Sequence, residues 1–236
     1  MGYGYYGYHL DPTYILVIIG IVLCLVASAR VRTTFSKYSK IRSISGYTGA
    51  QAAERLLQEA GIYDVRIERI PGNLSDHYDP RSKTLRLSDP VYDQSSIAAI
   101  GVAAHECGHA IQHQNSYIPL KIRGALVPVA NLGSMAAWPI IILGIFMGQN
   151  WFLINLGIIL FTAAVLFQVV TLPVEFNASR RAITKLGETG ILYQDELRQS
   201  KKVLDAAALT YVAAAAASIL QLLRLLILFG GGRNRD

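Results

Sequence analysis

The sequence predicts a mainly α-helical integral membrane protein with about four transmembrane helices and a small α+β domain on the cytosolic side. Its mean hydropathy is +0.34, and 52% of its 236 residues are hydrophobic, which exceeds the apolar share of an ordinary globular domain. Four segments are apolar enough to cross about 30 Å of hydrocarbon, which takes about 20 residues. They are residues 14–29, 124–148, 151–174 and 206–229.

The distribution of positive charge predicts the orientation of the chain. The net charge is +6, and of the 22 Lys and Arg residues 13 lie within residues 30–123 and 6 within residues 175–205. Basic residues favour cytoplasmic loops, so these two segments are predicted to face the cytosol. Residues 1–13 then form an external Tyr/Gly-rich tail and residues 230–236 a short external tail. The basic residues lie beside the spans, where anionic lipid attracts them, so we expect the lipid bilayer as a partner and no nucleic acid.

Local signals in the cytosolic segment predict a helix, two short strands and a second helix. Residues 48–51, Thr-Gly-Ala-Gln, are a capping box for a helix that reaches Ala60. Residues 65–70 and 84–88 alternate apolar and polar side chains, as half-buried strands do. Residues 93–114 are rich in Ala, Ile and Val, which predicts a nearly buried helix.

The second predicted helix contains the motif His-Glu-Cys-Gly-His at residues 105–109. Side chains four residues apart lie on one face of a helix, so His105 and His109 can bind one Zn²⁺ at distances of about 2.0–2.1 Å. Glu106 then lies beside the open position of the metal, where a carboxylate can take a proton from water. The motif therefore predicts a hydrolytic site with one zinc ion.

Two other residues of this stretch are excluded as ligands by helix geometry. His113 lies eight residues beyond His105, roughly 12 Å along the helix axis, so one metal cannot reach both. We expect His113 to support the site from outside the ligand set or to lie at the surface. Cys107 points to a different face of the helix and is expected to be buried filler.

The third ligand of a catalytic zinc must lie outside the motif. The two spans after the motif form a hairpin that returns the chain to the same side, and Glu175 is the first ionisable residue on that return. Glu175 is therefore the favoured third ligand. His77 and Asp79, in the turn SDHYDPRSK, are the competing candidates.

Three motifs carry a resemblance to a known family. HECGHAIQH, DHYDPRSKTLRLS and LPVEFNASRRA, combined with four spans, resemble the YugP-type bacterial membrane zinc metallopeptidase family, also described as neutral zinc metallopeptidases. The chain is similar more distantly to HtpX-type proteases and CAAX prenyl proteases. The resemblance implies a zincin-like metallopeptidase domain of gluzincin type, in which His105, His109 and Glu175 hold zinc and Glu106 is the catalytic base.

One position departs from the pattern of the distant relatives. They commonly have an aspartate four residues after the ligand glutamate, where this chain has Ser179. Such a partner forms a hydrogen bond with the atom of a metal ligand that faces away from the metal, and so fixes the orientation of that ligand. Whether Asn177, Ser179 or Arg180 replaces it stays open.

The expected function is that of a zinc-dependent metalloendopeptidase in the inner (cytoplasmic) membrane of a bacterial cell, with its active site on the cytosolic side. Its substrate is expected to be a membrane-associated or membrane-proximal polypeptide. His77, Tyr78 and Arg180 are candidates for stabilising the oxyanion or supporting the ligands. An extended substrate is expected to pair with the edge of the strand at residues 84–88. An oligomer or a membrane-protein partner stays open.

Two functions of other classes compete with this interpretation. One is a non-catalytic membrane scaffold or partner protein with a structural zinc site, which would normally have four protein ligands. The other is an ion transporter that uses the histidines and Glu175. No predicted span has an ionisable residue near its middle, whereas transport paths generally need polar sites there, so a transporter is disfavoured.

Overall fold

The computed structural model describes residues 11–230, so the predicted tails at residues 1–13 and 230–236 lie almost wholly outside the described residues. The described chain is mainly helical and contains one three-stranded sheet. Its elements are, in chain order, α1 (Tyr14–Tyr38), α2 (Gly49–Glu59), β1 (Arg66–Ile70), β2 (His77–Asp79), β3 (Thr84–Ser88), α3 (Asp89–Tyr92), α4 (Ile97–Gln114), α5 (Ile118–Phe146), α6 (Trp151–Glu188) and α7 (Gln194–Phe229).

Four helices, α1, α5, α6 and α7, are each long and apolar enough to cross a membrane. The predicted fold class is therefore confirmed. Three of these helices continue well past the predicted spans: α1 extends to Tyr38, α6 extends to Glu188, and α7 already begins at Gln194. No proline interrupts the polar extensions, so the helical hydrogen bonding continues through them.

The four long helices pack in a row. Helix α6 lies between α5 and α7, and α7 packs in turn on α1. The α5–α6 contact is close because Gly133 has no side chain; a Cβ there would collide with the carbonyl oxygen of Leu160. Far from α4, Ile141, Ile154 and Leu225 join α5, α6 and α7 in one apolar cluster. The opposite ends of these helices carry the small domain.

The small domain contains the predicted capping box and both predicted strands. Thr48 Oγ1 accepts a hydrogen bond from the Gln51 N–H at 3.2 Å, and Gln51 Oε1 accepts one from the Thr48 N–H at 3.0 Å, so the capping box is confirmed. Strands β1 and β3 pair in parallel, and β2 pairs antiparallel with β3. The sequence did not predict β2, because three residues are too few to establish an alternating pattern.

Strand β3 is the central strand of the sheet, whose order is β1-β3-β2. Strand β1 pairs along one side of β3, and β2 pairs with the first half of the other side. The expectation that a substrate adds to the edge of residues 84–88 is therefore wrong, because β3 is the central strand and the Ser88 N–H beyond β2 already donates to Asp76. The edge strand next to α4 is β2.

Helix α4 is the buried centre of the small domain, packed against α2, α6 and α7. The prediction of a nearly buried helix is confirmed, but its predicted start at residue 93 is wrong. The helix begins at Ile97 because Ser96 caps it: the Ser96 hydroxyl accepts a hydrogen bond from the Ala99 N–H at 3.1 Å. Residues 93–95 connect the short helix α3 to this cap.

Gly108 allows the backbones of α4 and α6 to approach each other. A Cβ on Gly108 would lie 2.5 Å from the carbonyl oxygen of Ala178, which is far inside van der Waals contact. Gly108 precedes His109 directly, and Ala178 is three residues from Glu175. The contact therefore sets how near the histidine face of α4 lies to Glu175.

We expect Gly108→Ala to force α4 and α6 apart and to lower the free energy of unfolding by about 1–3 kcal/mol, the usual cost of overpacking. Thermal unfolding of the full chain in detergent measures the effect. Gly124→Ala is the matched control, because a Cβ at Gly124, also in a helix, has no neighbouring atom within 4 Å. Equal melting temperatures for the two variants would contradict the close contact.

Candidate metal centre

Two neighbouring helices bring three ligand-type side chains together. His105 and His109 lie on α4, one turn apart, and Glu175 lies on α6. Glu175 Oε2 is 3.2 Å from His105 Nε2 and 3.6 Å from His109 Nε2. One ligand atom from each of the three residues lies within 4.8 Å of the other two. Within residues 11–230 this is the one such group of three or more His, Cys, Asp or Glu side chains.

The chemistry and spacing of this group fit a zinc ion. Zn–N distances of about 2.0–2.1 Å place tetrahedral ligand atoms about 3.3–3.4 Å apart. The two distances between Glu175 and the histidine nitrogens, 3.2 and 3.6 Å, lie on either side of that value. Two imidazoles and one carboxylate leave the fourth tetrahedral position without a protein ligand, as catalytic zinc sites do.

The outer nitrogen of each histidine is held by a second side chain. His109 Nδ1 is 3.0 Å from Gln112 Oε1. That amide oxygen only accepts, so the proton lies on Nδ1 and the lone pair of Nε2 points toward the group. Gln112 is fully buried and its amide nitrogen donates to the Val174 carbonyl oxygen at 2.8 Å and to Asn177 Oδ1 at 3.0 Å.

The side chain that orients His105 is Ser179, one of the three candidates from the sequence. Ser179 Oγ lies 3.1 Å from His105 Nδ1, at the position where the distant relatives have an aspartate. Asn177 contacts Gln112 instead. Arg180 is exposed and does not line the cavity at this group. The histidine is therefore oriented by an uncharged hydroxyl.

Arg123 binds the other oxygen of the Glu175 carboxylate. Its guanidinium donates to Glu175 Oε1 at 3.1 Å, while only 2% of the Glu175 side chain is exposed. Sequence reasoning missed this residue, because Arg123 counted only as one of the basic residues that orient the chain. The available signal was its place just before the apolar hairpin, since the hairpin returns the chain at Glu175.

Glu106 lines the same cavity as the three ligand-type residues. The cavity has a volume of about 440 Å³, and its walls come from α4, α5, α6, α7 and strand β2. Glu106 is 6% exposed, and in the described part of the chain no group donates a hydrogen bond to its carboxylate. A carboxylate that is buried at a cavity and lacks a fixed partner is free to exchange a proton with a molecule that enters.

Strand β2 brings His77 and Tyr78 to the wall of this cavity. The Tyr78 hydroxyl is 2.9 Å from His113 Nδ1, and His77 Nδ1 is 2.8 Å from the Ser75 carbonyl oxygen. Burial, followed by the charges of Asp64 and Asp79, raises the pKa of Tyr78 to about 12. The phenol therefore stays protonated at neutral pH and is able to donate a hydrogen bond.

The remaining candidates lie outside the three-residue group. The Asp79 carboxylate accepts hydrogen bonds from Ser82 Oγ at 2.7 Å and the Arg81 N–H at 2.9 Å, and these bonds lower its pKa to about 2. Asp79 thus shapes the turn.

Cys107 is 1% exposed and burial raises the pKa of its thiol, as expected for buried filler. Tyr211 of α7 also lines the cavity, and the sequence did not indicate it.

Comparison with known proteins identifies the family of the chain. The family described as "Putative neutral zinc metallopeptidase" matches residues 13–230. The chain is 49% identical over 221 residues to the "Putative membrane protease YugP" of Bacillus subtilis (strain 168), and the match covers 94% of this chain and 98% of that protein. No solved structure matches the chain. The chain belongs to the neutral zinc metallopeptidase family, whose members are described as zinc peptidases.

Proposed function

We propose that this protein is a membrane-embedded metalloendopeptidase in which one Zn²⁺ is held by His105, His109 and Glu175. The observation that carries the proposal is that these side chains converge at a cavity of about 440 Å³ that Glu106 also lines. A structural zinc site is usually closed by four protein ligands. Here the described residues contain three candidates and a cavity beside them, which favours hydrolysis over a non-catalytic scaffold.

In the proposed hydrolysis, different residues bind the metal, transfer the proton and orient the metal ligands. Bound at this group, zinc supplies Lewis acidity, which lowers the pKa of water toward about 7 and polarises a carbonyl. Glu106 takes a proton from the attacking water and later delivers it to the leaving amine. Ser179 and Gln112 hold the two imidazoles in the orientation that presents Nε2.

Strand β2 is proposed to position the substrate. It is an edge strand and lines the cavity, so its free side can pair with an extended peptide backbone. Tyr78 lies on β2 and is supported by His113 at 2.9 Å. Its protonated hydroxyl is the best-placed donor for the developing oxyanion, with His77 as the second candidate. Arg180 is less suitable, because it does not line the cavity.

The site is proposed to lie at the cytosolic surface of the inner membrane. Glu175 follows the predicted span at residues 151–174, and the cavity wall reaches Val127 and Tyr211, which lie inside two other predicted spans. The positive-inside distribution of Lys and Arg supports the cytosolic assignment. A cavity that begins in the apolar region and opens beside a polar domain suits membrane-associated polypeptides. An oligomer or a membrane-protein partner would fit the same location.

We expect Glu106→Gln to keep zinc and to lose peptide hydrolysis by a factor of about 100 to 10,000, the usual contribution of a general base. Zinc content by inductively coupled plasma mass spectrometry and the rate of cleavage of a casein substrate test both parts. Glu188→Gln, which changes a surface glutamate paired with Lys185, is the control and should match the unmodified protein. If Glu106→Gln were fully active, Glu106 would not be the base.

We expect Glu175→Ala to abolish stoichiometric zinc binding, because it removes one of the three proposed ligands. Asp79→Ala is expected to retain zinc, since that carboxylate is engaged by the turn. Zinc content of the two purified variants distinguishes the ligand from its competitor. The reverse pattern would move the metal to the turn.

We expect Arg123→Gln to weaken zinc binding by about 10- to 100-fold, the usual effect of losing a group that orients a ligand. Arg123 holds one Glu175 oxygen at 3.1 Å, which leaves the other to the metal. Competition with a chelator measures the affinity. Lys121→Gln removes the same charge two residues away and should leave the affinity unchanged; an equal loss in both variants would mean that only net charge matters.

A further inference from the structure

A second, smaller cavity meets the first at the proposed catalytic group. Its volume is about 230 Å³, and it shares Asp76, His105, Glu106, Glu175 and Tyr211 with the larger cavity. The other walls of the two cavities differ. Apart from the shared residues, the larger one is bounded mainly by β2, α4 and α5, whereas the smaller one is bounded by Val31 of α1, by Leu74 of the loop between β1 and β2, and by the start of α7. A chain that crosses the catalytic group would therefore have a separate space on each side.

The wall of the small cavity offers mainly apolar surface. Six aliphatic side chains from four parts of the fold line it: Val31, Leu74, Val102, Leu204, Ala207 and Ala208. No lysine or arginine contributes to this wall, although the chain as a whole is basic. An anionic side chain that entered the cavity would lose its hydration and would meet only the carboxylates of Asp76, Glu106 and Glu175.

Three of the polar residues in this wall, Asp76, Ser179 and Thr210, are already engaged by neighbouring groups. The Asp76 carboxylate accepts hydrogen bonds from the Ser88 N–H at 2.7 Å and from the Ser88 hydroxyl at 2.9 Å. The Thr210 hydroxyl donates to the Ala207 carbonyl oxygen at 2.6 Å. Ser179 Oγ is hydrogen-bonded to His105 Nδ1 at 3.1 Å. These three groups therefore have little hydrogen-bonding capacity left for a polar ligand, and the free carboxylate in this wall is that of the proposed base, Glu106.

We propose that this cavity is the subsite for an aliphatic side chain of the substrate, a valine, leucine or isoleucine next to the scissile bond. Its volume equals roughly eight waters at about 30 Å³ each, which is enough for one branched side chain. The cavity lies where α1 leaves the predicted span at residues 14–29 and α7 enters the span at residues 206–229. The subsite thus selects apolar residues at the membrane surface.

The proposal rests on the proposed peptidase function, and it makes Ala207 a determinant of specificity. Ala207 is half-buried on α7 in the cavity wall, so Ala207→Phe occupies space in the cavity while every proposed ligand keeps its own side chain. Val31→Ala instead removes part of the α1 wall and enlarges the cavity. Ala216→Phe is the matched control, because it adds the same bulk on α7 outside both cavities.

The experiment uses the zinc-loaded full chain in nanodiscs and a mixture of synthetic peptides randomised at every position, with cleavage sites identified by mass spectrometry. For the unmodified protein and Ala216→Phe we expect aliphatic residues at one position beside the cleaved bond to be favoured over alanine by about 10- to 100-fold. Ala207→Phe should remove this preference and retain zinc. Val31→Ala should extend the preference to phenylalanine.

Failure of the subsite and failure of the peptidase function give different results. Cleavage with no aliphatic preference, or with the same preference in Ala207→Phe and Val31→Ala as in the unmodified protein, would overturn the subsite alone. If the unmodified protein cleaves no peptide, the Glu106→Gln variant is used to measure binding of the same mixture. Aliphatic peptides retained there, and lost when Ala207→Phe is added, would support the subsite and reject peptidase function. No retention would reject both.

Discussion

The buried carboxylate of Glu175 is the interaction on which the arrangement of this protein depends. Its two oxygens face the imidazoles of α4 on one side and the guanidinium of Arg123 at the start of α5 on the other. A carboxylate that is only 2% exposed costs on the order of several kcal/mol unless such partners surround it. Three helices must therefore keep one relative position for the chain to tolerate this residue, and that position assembles the proposed site.

The long helices connect this position to the membrane. Polar extensions of α1, α6 and α7 continue without a break into the small domain, so side chains near the membrane surface are held by rigid elements. Glu175 lies on α6 within such a continuous helix, and Gly108 lets α4 lie directly against it. The membrane hairpin is therefore part of the site, since it supplies both the third proposed ligand and the arginine that holds it.

Features set by local sequence or by chain topology could be predicted, whereas features set by tertiary contacts could not. The capping box at Thr48 and the four apolar helices follow from residues close in sequence, and the hairpin together with the family resemblance indicated Glu175. Strand β2 is too short to show an alternating pattern, and the central place of β3 depends on its pairing with two strands, β2 beside it in sequence and β1 further away. The pairing of Arg123 with Glu175 and the support of His109 by Gln112 likewise require the folded packing. The Ser96 cap was a local signal that the prediction missed.

The depth of the proposed site limits the form of the substrate. Only 15% of the His105 side chain and 12% of the His109 side chain are exposed, and Glu106 is 6% exposed. A folded surface cannot reach groups recessed to this degree, whereas an extended backbone can enter between β2 and the helices. A polypeptide substrate of the proposed peptidase must therefore be locally unfolded where it enters. At the membrane surface, such segments occur where a chain leaves the bilayer, or where a membrane protein has failed to pack, and both present aliphatic residues beside a flexible backbone.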